Sequence, residues 1–499
     1  MLFIYCRKPV IPRNKVRELA SAYMRKKGLP RHVGLTFEDV TIIPRYSRIP
    51  RRSDEYIDTG ADFGKGMYLR RPIFSANMDT ITESRMAIAL ARLGGCGIIH
   101  QFLPITQRVA EVGKVKRADN LIVQSPLTIT LGATIKDARA ITEEYQISGL
   151  IVLDDAGEVA GILSRRDVQW APDTMEVRER MTPFAQLIVA PSNITIDEAK
   201  KIFYEKRVEK LPLIEGCHCV GLVTASDILK IERFKYAFRD KKGRLGVGAA
   251  VGIGATLLKE FEALMKAEVD IFVIDTARGD SELLKKALIE TRREFGDGPL
   301  IMAGNVDTPQ GTAMLLDVGA DIIKIGIGGG AACKTRRGPG VGIPQVTAIG
   351  WSAPIAAKFG KKIVSDGGIK GPSDYCKALV AGAHGVMIGG LFAGTDETPG
   401  EVFYEDGQEW KIFRGSASIE FQISRNDRGT EERIRQPEGV ARRVPYKGPV
   451  TKAVEELVKN QWSSMSYVGA ENMAEYHKRG MFLWQTLSGF EEGKPHATS

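Results

Sequence analysis

The chain has 499 residues, 43% of them hydrophobic and 26% charged. This is about three domains' worth at ~100–200 residues each, and the balance excludes a largely disordered or fibrous chain. Seventy Lys and Arg against 61 Asp and Glu leave a net charge of +9. That excess is spread too thinly for a nucleic-acid arm and fits an enzyme for an anionic small substrate equally well.

Residues 1–33 read as an N-terminal extension with a basic helical pattern around 13–27. Residues 1–5 are apolar, but Arg7, Lys8 and Pro9 follow at once, and the run is too short for a signal peptide. From residue 34 a grammar emerges in which an amphipathic helical segment ends in a small residue and a short β-branched strand follows. The first units fall at 34–117 and hold strands at 72–77 and 97–100. Further strands are predicted at 270–275, 299–304, 320–326, 362–366 and 383–389 within a second part spanning 231–499. Each is a near-continuous apolar run that ends in Gly, Asp or Asn, as expected for strands buried on both faces. Strands alternating with helices mean a parallel sheet. Polar residues gathered at strand carboxyl ends favour an α/β fold of the (β/α)8 TIM barrel type over an open doubly wound sheet.

Between about 118 and 230 the grammar changes to an internal repeat. Gly161-Ile-Leu-Ser-Arg-Arg-Asp167 returns 60 residues later as Gly221-Leu-Val-Thr-Ala-Ser-Asp227. Two similar units in tandem, at 118–174 and 175–230, are expected to pack on each other as an insertion in the barrel. Residues 401–450 are rich in charge and poor in periodicity, and read as a second insertion or flap. No apolar stretch reaches ~18 residues, so no membrane span is expected. The six cysteines (Cys6, Cys96, Cys217, Cys219, Cys333 and Cys376) are too scattered for a disulfide framework. Cys217-His218-Cys219 lacks a second pair at ligand spacing, so zinc is not expected there. A reducing cytoplasm is the expected location.

The densest chemistry lies at 326–345, from Gly326-Ile-Gly-Gly-Gly-Ala-Ala-Cys333-Lys-Thr335 through Arg336 and Arg337 to Gln345. Glycines let a backbone approach a ligand closely. A cysteine flanked by Lys334, Arg336 and Arg337 could act as a nucleophile. Equally, the loop could grip a phosphate while its cysteine packs. Asp275 ends a strand, where a cofactor role competes with capping of the following helix by Asp280 or Ser281. His100 and His384 lie beside apolar strands and read as packed or hydrogen-bonded groups.

Gly304-Asn305-Val306, the cysteine loop, Asp366-Gly367-Gly368, Val386-Met-Ile-Gly389-Gly390, Val444-Pro-Tyr-Lys-Gly448 and Tyr467-Val-Gly469 occur in this order. With Thr36-Phe-Glu-Asp39 and Asn77-Met-Asp79, the set resembles the IMP dehydrogenase/GMP reductase family over residues 33–496. The repeat is similar to the tandem CBS pair that this family inserts into its barrel. The resemblance implies that Cys333 attacks purine C2 and that Thr335 positions water or ammonia. It implies Asp366 on the ribose hydroxyls, and Gly367, Gly368, Gly389 and Gly390 on the 5′-phosphate. Phe413, Gly415, Ser416 and Glu438 also fall on the substrate side. Asp275, Gly326, Ile327 and Gly328 would line the site of NAD, or of NADP in a reductase. Carbonyls of Gly328, Gly330 and Cys333, with Glu492, Gly493 and Lys494 of a neighbouring subunit, match the family's potassium site. Ser164, Asp167, Thr224 and Asp227 form the Ser/Thr-x-x-Asp elements that would hold adenine or guanine nucleotides, or would only stabilise turns. A homotetramer, or an octamer built through the inserted domains, is the implied assembly, with no need for nucleic acid or membrane.

The family's two reactions divide the motifs. Asp427-Arg428 in the flap and the CBS insertion resemble the dehydrogenase, whose flap arginine acts as base. Gly429 replaces the tyrosine that follows it there. Gly389-Gly390 is similar to the reductase, where the dehydrogenase carries Gly-Ser. Glu420 sits one position later than the reductase's glutamate. Ala331 replaces a phosphate-binding serine of both. An IMP dehydrogenase is the leading expectation and a GMP reductase the alternative. A third reading is an adenine-nucleotide sensor with an inactive barrel.

Overall fold

The computed structural model describes residues 11–494 apart from 31, 120–125, 146 and 416–440. The chain divides into two compact units, Met1–Lys116 with Tyr236–Ser499, and Arg117–Lys235.

The first unit is a closed barrel of eight parallel strands. In chain order these are β1 (Ile73–Ser75), β2 (Cys96–Ile99), β3 (Gly248–Val251), β4 (Ile271–Asp275), β5 (Ile301–Val306), β6 (Ile322–Ile325), β7 (Lys362–Asp366) and β8 (Gly385–Ile388). Each pairs with the next, and β8 closes on β1 through Val386–Ile73 and Ile388–Ser75. Helices follow the strands: α1 (Ser84–Arg92), α2 (Ile105–Ala118), α3 (Leu257–Lys266), α4 (Glu282–Phe295), α5 (Pro309–Asp317), α6 (Gln345–Lys358), α7 (Pro372–Ala381) and α8 (Val450–Val468). This is the (β/α)8 architecture expected from the strand–helix alternation. The strands predicted at 72–77, 270–275, 320–326 and 383–389 run one or two residues past the observed ends, because flanking Gly, Ala and Asp residues belong to the turns, whereas 362–366 coincides, 97–100 and 299–304 are shifted by one or two residues, and β3 was not predicted.

The barrel interior is filled by every second side chain of its strands, among them Phe74, Ile98, Ala250, Val273, Met302, Ile322, Val364 and Met387. The lower end is plugged by Phe63, Met67 and Leu69 from the hairpin Ala61–Gly64/Met67–Leu69. The N-terminal extension is docked as well. Its helix Arg13–Lys26 sets Met24 against Gly350 of α6, where a β-carbon would stand 2.5 Å from the Met24 sulfur.

The second unit repeats one plan twice. Helix Ile135–Tyr145, hairpin Gly149–Leu153/Val159–Ser164 and helix Arg165–Gln169 are followed by helix Ile196–Lys206, hairpin Lys210–Glu215/His218–Thr224 and helix Ala225–Arg233. The leading helices even begin alike. The Thr134 amide donates to Asp137 and the Thr195 amide to Glu198, each three residues on. Ile151, Val159, Ile162 and Leu222 form an apolar cluster that joins the halves.

Candidate active site

Period-two alternation decides which residues stand at the barrel mouth. Two positions beyond the inward Val273, Ile322 and Val364 come Asp275, Lys324 and Asp366. Lys324 is 3% exposed. Its Nζ lies 3.0 Å from Asp275 Oδ1 and 2.8 Å from Asp366 Oδ2. Burial alone would lower the lysine's pKa, but the two carboxylates outweigh it and hold the ammonium well above its ordinary range. Gly304 of β5, paired with Lys324 across the sheet, makes the room: a β-carbon there would meet the Lys324 Cβ at 2.7 Å.

Two asparagines complete the array. Asn77 donates to Asp275 Oδ2 at 2.7 Å. Asn305 donates to Asp366 Oδ2 at 2.9 Å and to the Gly326 carbonyl at 2.6 Å. Both protein contacts on Asp366 therefore fall on Oδ2, and among the described residues no hydrogen bond reaches Oδ1. Among the described residues the buried acceptors Asn305 Oδ1, Gln345 Oε1 and Asp79 Oδ1 have no partner. A mouth that retains unfilled acceptors is suited to a ligand that brings hydroxyls or N–H groups.

The cysteine loop leaves β6 and returns at α6. Its two ends are joined by Asp307, which is 4% exposed and accepts from the amides of Ile327 at 2.9 Å and Ile343 at 3.0 Å. Burial pushes this carboxyl up to about 6, against the pull of the two amides and of Arg336. Gln345 anchors the loop's start through the Ile325 carbonyl at 2.9 Å and reaches Ser365 Oγ at 3.0 Å. At the tip Cys333 is exposed, and its sulfur lies 3.2 Å from Thr335 Oγ1. Gly326 and Gly328 have φ of +141° and +81°. A β-carbon on Gly326 would meet the Asp366 carbonyl at 2.0 Å, so glycine is required for β6 and β7 to approach.

Gly367 and Gly368 follow Asp366 with positive φ and lie beneath the loop, Gly367 next to Gly330. Gly389 and Gly390 follow β8. A β-carbon on Gly390 would stand 2.9 Å from that of Ala331, so these two small residues face each other. Phe413 is buried in the barrel's apolar cluster. Its neighbour Arg414 joins Asp79 through Nε at 2.8 Å, tying the strand Gln408–Arg414 to the loop after β1. His100 is deeply buried and His384 is half-buried, and desolvation holds His384 well below the ordinary imidazole range. Gly493 and Lys494 cap the helix Leu487–Glu492 at the far C-terminus. Ser416, Glu420, Arg428 and Glu438 lie outside the described residues. In the second unit the Ser164 amide donates to Asp167 at 2.6 Å, a helix-start contact, and Thr224 lies 2.9 Å from Ser226. The Asp227 side chain is outside the described set.

The IMP dehydrogenase/GMP reductase domain model matches residues 34–496. The chain belongs to this family. It is 42% identical to the inosine-5′-monophosphate dehydrogenase of Aquifex aeolicus over 471 residues, covering 93% of this chain and 95% of that one. The Bacillus subtilis enzyme of the same name is 39% identical with the same coverage. Among solved structures, a cysteine-to-alanine variant of Trypanosoma brucei GMP reductase in complex with guanosine 5′-monophosphate superposes with a TM-score of 0.89. It is 34% identical, covering 95% of this chain and all of that one.

Sequence reasoning passed over Lys324, Asp307 and Gln345 as working residues of this family member. Lys324 carried a readable signal. A lysine inside a strand whose every other residue is apolar must have a buried partner. Asp307 carried none, since its partners are backbone amides 20 and 36 residues away.

Proposed function

We propose that the chain is a purine nucleotide oxidoreductase acting as an IMP dehydrogenase, converting IMP, NAD+ and water to XMP, NADH and a proton. The observation that carries the reading is the meeting, at one barrel mouth, of an exposed Cys333 beside Thr335 with the clamped carboxylates Asp366 and Asp275. The Cys333 thiolate adds to purine C2, and the C2 hydrogen leaves as hydride. Water then attacks the thioimidate carbon, XMP departs, and the thiol is restored. Asp366 would take the ribose hydroxyls through Oδ1, and Gly367, Gly368, Gly389 and Gly390 the 5′-phosphate. Thr335 would orient the water, with Arg428 as the base that withdraws its proton.

Asp275 retains about a fifth of its side-chain surface in the open and adjoins the strand that feeds Gly326, Ile327 and Gly328. These residues suit a nicotinamide dinucleotide, which supplies the hydride acceptor when bound. The potassium donors would be carbonyls of Gly328, Gly330 and Cys333, with Glu492, Gly493 and Lys494 of a neighbouring subunit. Backbone oxygens from one short turn are the right chemistry for a hard monovalent cation. The repeated second unit reads as the CBS pair. It would bind adenine or guanine nucleotides and assemble tetramers into octamers. No helix among the described residues is long and apolar enough to cross a membrane, and a cytoplasmic setting is part of the proposal.

A second reading, GMP reductase, is favoured by one observation. Gly390 carries no side chain where dehydrogenases have the serine of a Gly-Ser pair, and it faces Ala331. In that reaction GMP loses ammonia and accepts hydride from NADPH, and Glu420 replaces Arg428 as the proton carrier. Near-ultraviolet absorbance of the reduced nicotinamide separates the readings when potassium is present. A rise with IMP and NAD+ supports the dehydrogenase, and a fall with GMP and NADPH the reductase. Silence in both, with tight adenine-nucleotide binding, leaves the sensor reading.

A further inference from the structure

At the ends of β4, β6 and β7 two carboxylates meet one ammonium. Lys324 touches Asp275 at 3.0 Å and Asp366 at 2.8 Å, so a single buried cation spans the mouths of β4 and β7 from its own strand between them. Each carboxylate also has a private partner, Asn77 for Asp275 and Asn305 for Asp366. The Lys324 and Asn305 contacts on Asp366 converge on Oδ2, and among the described residues no hydrogen bond reaches Oδ1. Asp275 and Asp366 are the charged groups that govern the state of Lys324.

We infer that Lys324 is a positioning residue shared by the nucleotide and the cofactor, one charge that orients the carboxylate of each site and so couples the two sites energetically. The inference rests on the functional reading above, in which Asp366 meets the nucleotide and Asp275 the cofactor. Lys324 itself touches neither ligand. A ribose that draws on Asp366 changes how strongly Lys324 holds Asp275, and by linkage the converse holds. Without the ammonium, the two neighbouring carboxylates repel each other with no cation between them.

The test compares Lys324→Met, Lys324→Arg, Asn305→Ala and Asn77→Ala in the full-length protein. Equilibrium binding of IMP and of GMP is measured by calorimetry, KM for the cofactor by turnover, and folding by melting temperature. Lys324→Met should weaken nucleotide binding and raise the cofactor KM together, each roughly tenfold or more as expected for loss of a charge-assisted contact. Lys324→Arg should recover most of both effects. Asn305→Ala should shift the nucleotide more than the cofactor, since Asn305 also holds the Gly326 carbonyl, and Asn77→Ala the cofactor alone; these two keep the test decisive if Lys324→Met does not fold. The inference is overturned if Lys324→Met shifts one ligand only or leaves both within about threefold. It is equally overturned if Lys324→Arg is no better than Lys324→Met, or if each asparagine variant shifts both ligands alike. A wild type that binds neither IMP nor GMP removes the functional reading itself, and this inference with it. A wild type that binds one of them, without the variant pattern, removes the inference alone.

Discussion

The two ends of the barrel solve the same electrostatic problem with opposite signs. At the mouth, two acids share one cation, Lys324. At the floor, one acid is shared by three cations. Asp321, just before β6, meets Lys65 and Arg292 at 2.7 Å and Lys361 at 2.5 Å, and accepts the Ile301 amide at 3.0 Å. Those cations outweigh burial and hold Asp321 below the ordinary carboxylate range. A single short strand thus carries a saturated acid at its base and, three residues later, a lysine beneath acceptors that are still unfilled. The floor joins the barrel's lower turns to one another. The mouth is arranged for something that is not protein. A satisfied network rigidifies, whereas unfilled polar groups are costly unless a ligand completes them.

Substitutions should break the two ends differently. The largest effect is expected at the tip of the cysteine loop. Cys333→Ala should reduce turnover by ~10³-fold or more while IMP still binds, since the residue acts in bond formation rather than in holding the nucleotide. Steady-state rates and calorimetry on one preparation check this. At the floor, Asp321→Asn should lower stability by about 3 kcal/mol or more, because it leaves the buried Arg292 without its carboxylate. Lys65 and Lys361 are about a third exposed, so solvent offsets part of their loss. The per-site rate of the folded fraction should be unchanged. A loss of rate without a loss of melting temperature would erase the distinction between the ends.

Asp307→Ala sharpens the comparison from the mouth side. Two partly buried amides lose their acceptor, at a cost of about 1–3 kcal/mol confined to the loop. It should appear as faster hydrogen exchange at Ile327 and Ile343 and a lower kcat/KM, with the melting temperature of the barrel little changed. The sign of its pH dependence also follows. Asp307 is pushed up to about 6 in the fold, so the folded state binds the extra proton between the ordinary carboxylate value and about 6. The Asp307 contribution to stability is therefore greatest on the acid side of that window and is lost as pH rises through it. Asp307→Ala should flatten that slope.

The smallest effect lies outside both ends. Lys27 is buried and donates to the His477 and Gly480 carbonyls at 2.7 and 2.9 Å. Burial first, then Lys26 and Arg45, lower it to about 7. The unfolded chain therefore binds its proton more tightly. Stability from this site rises with pH from about 7 toward the ordinary lysine value and is absent below. Melting temperature should climb between pH 7 and 9 more steeply in the wild type than in Lys27→Met.

The barrel was legible because its strands are apolar runs ending in small or acidic residues, a pattern that long-range closure only confirms. Asp275, Asp366 and the cysteine loop were legible as strand-end chemistry. What joins them was not. Lys324 finds its partners 49 residues before it and 42 after it, and only closure of the sheet makes them neighbours. The floor was equally silent, since Lys65 and Asp321 are 256 residues apart. Alternation could still have pointed Lys324 inward, two positions beyond Ile322. The facing of Ala331 and Gly390 needed the coordinates, because the motifs that hold them are separated by a strand–helix unit and more.

The measurement closest to the central claim is the mass of the Cys333 peptide from enzyme quenched by acid during turnover. Incubation with IMP and NAD+ should add a purine nucleotide to that peptide alone, and the adduct should decay as substrate is exhausted. Turnover without any adduct, or an adduct on another residue, would contradict a mouth built around Cys333.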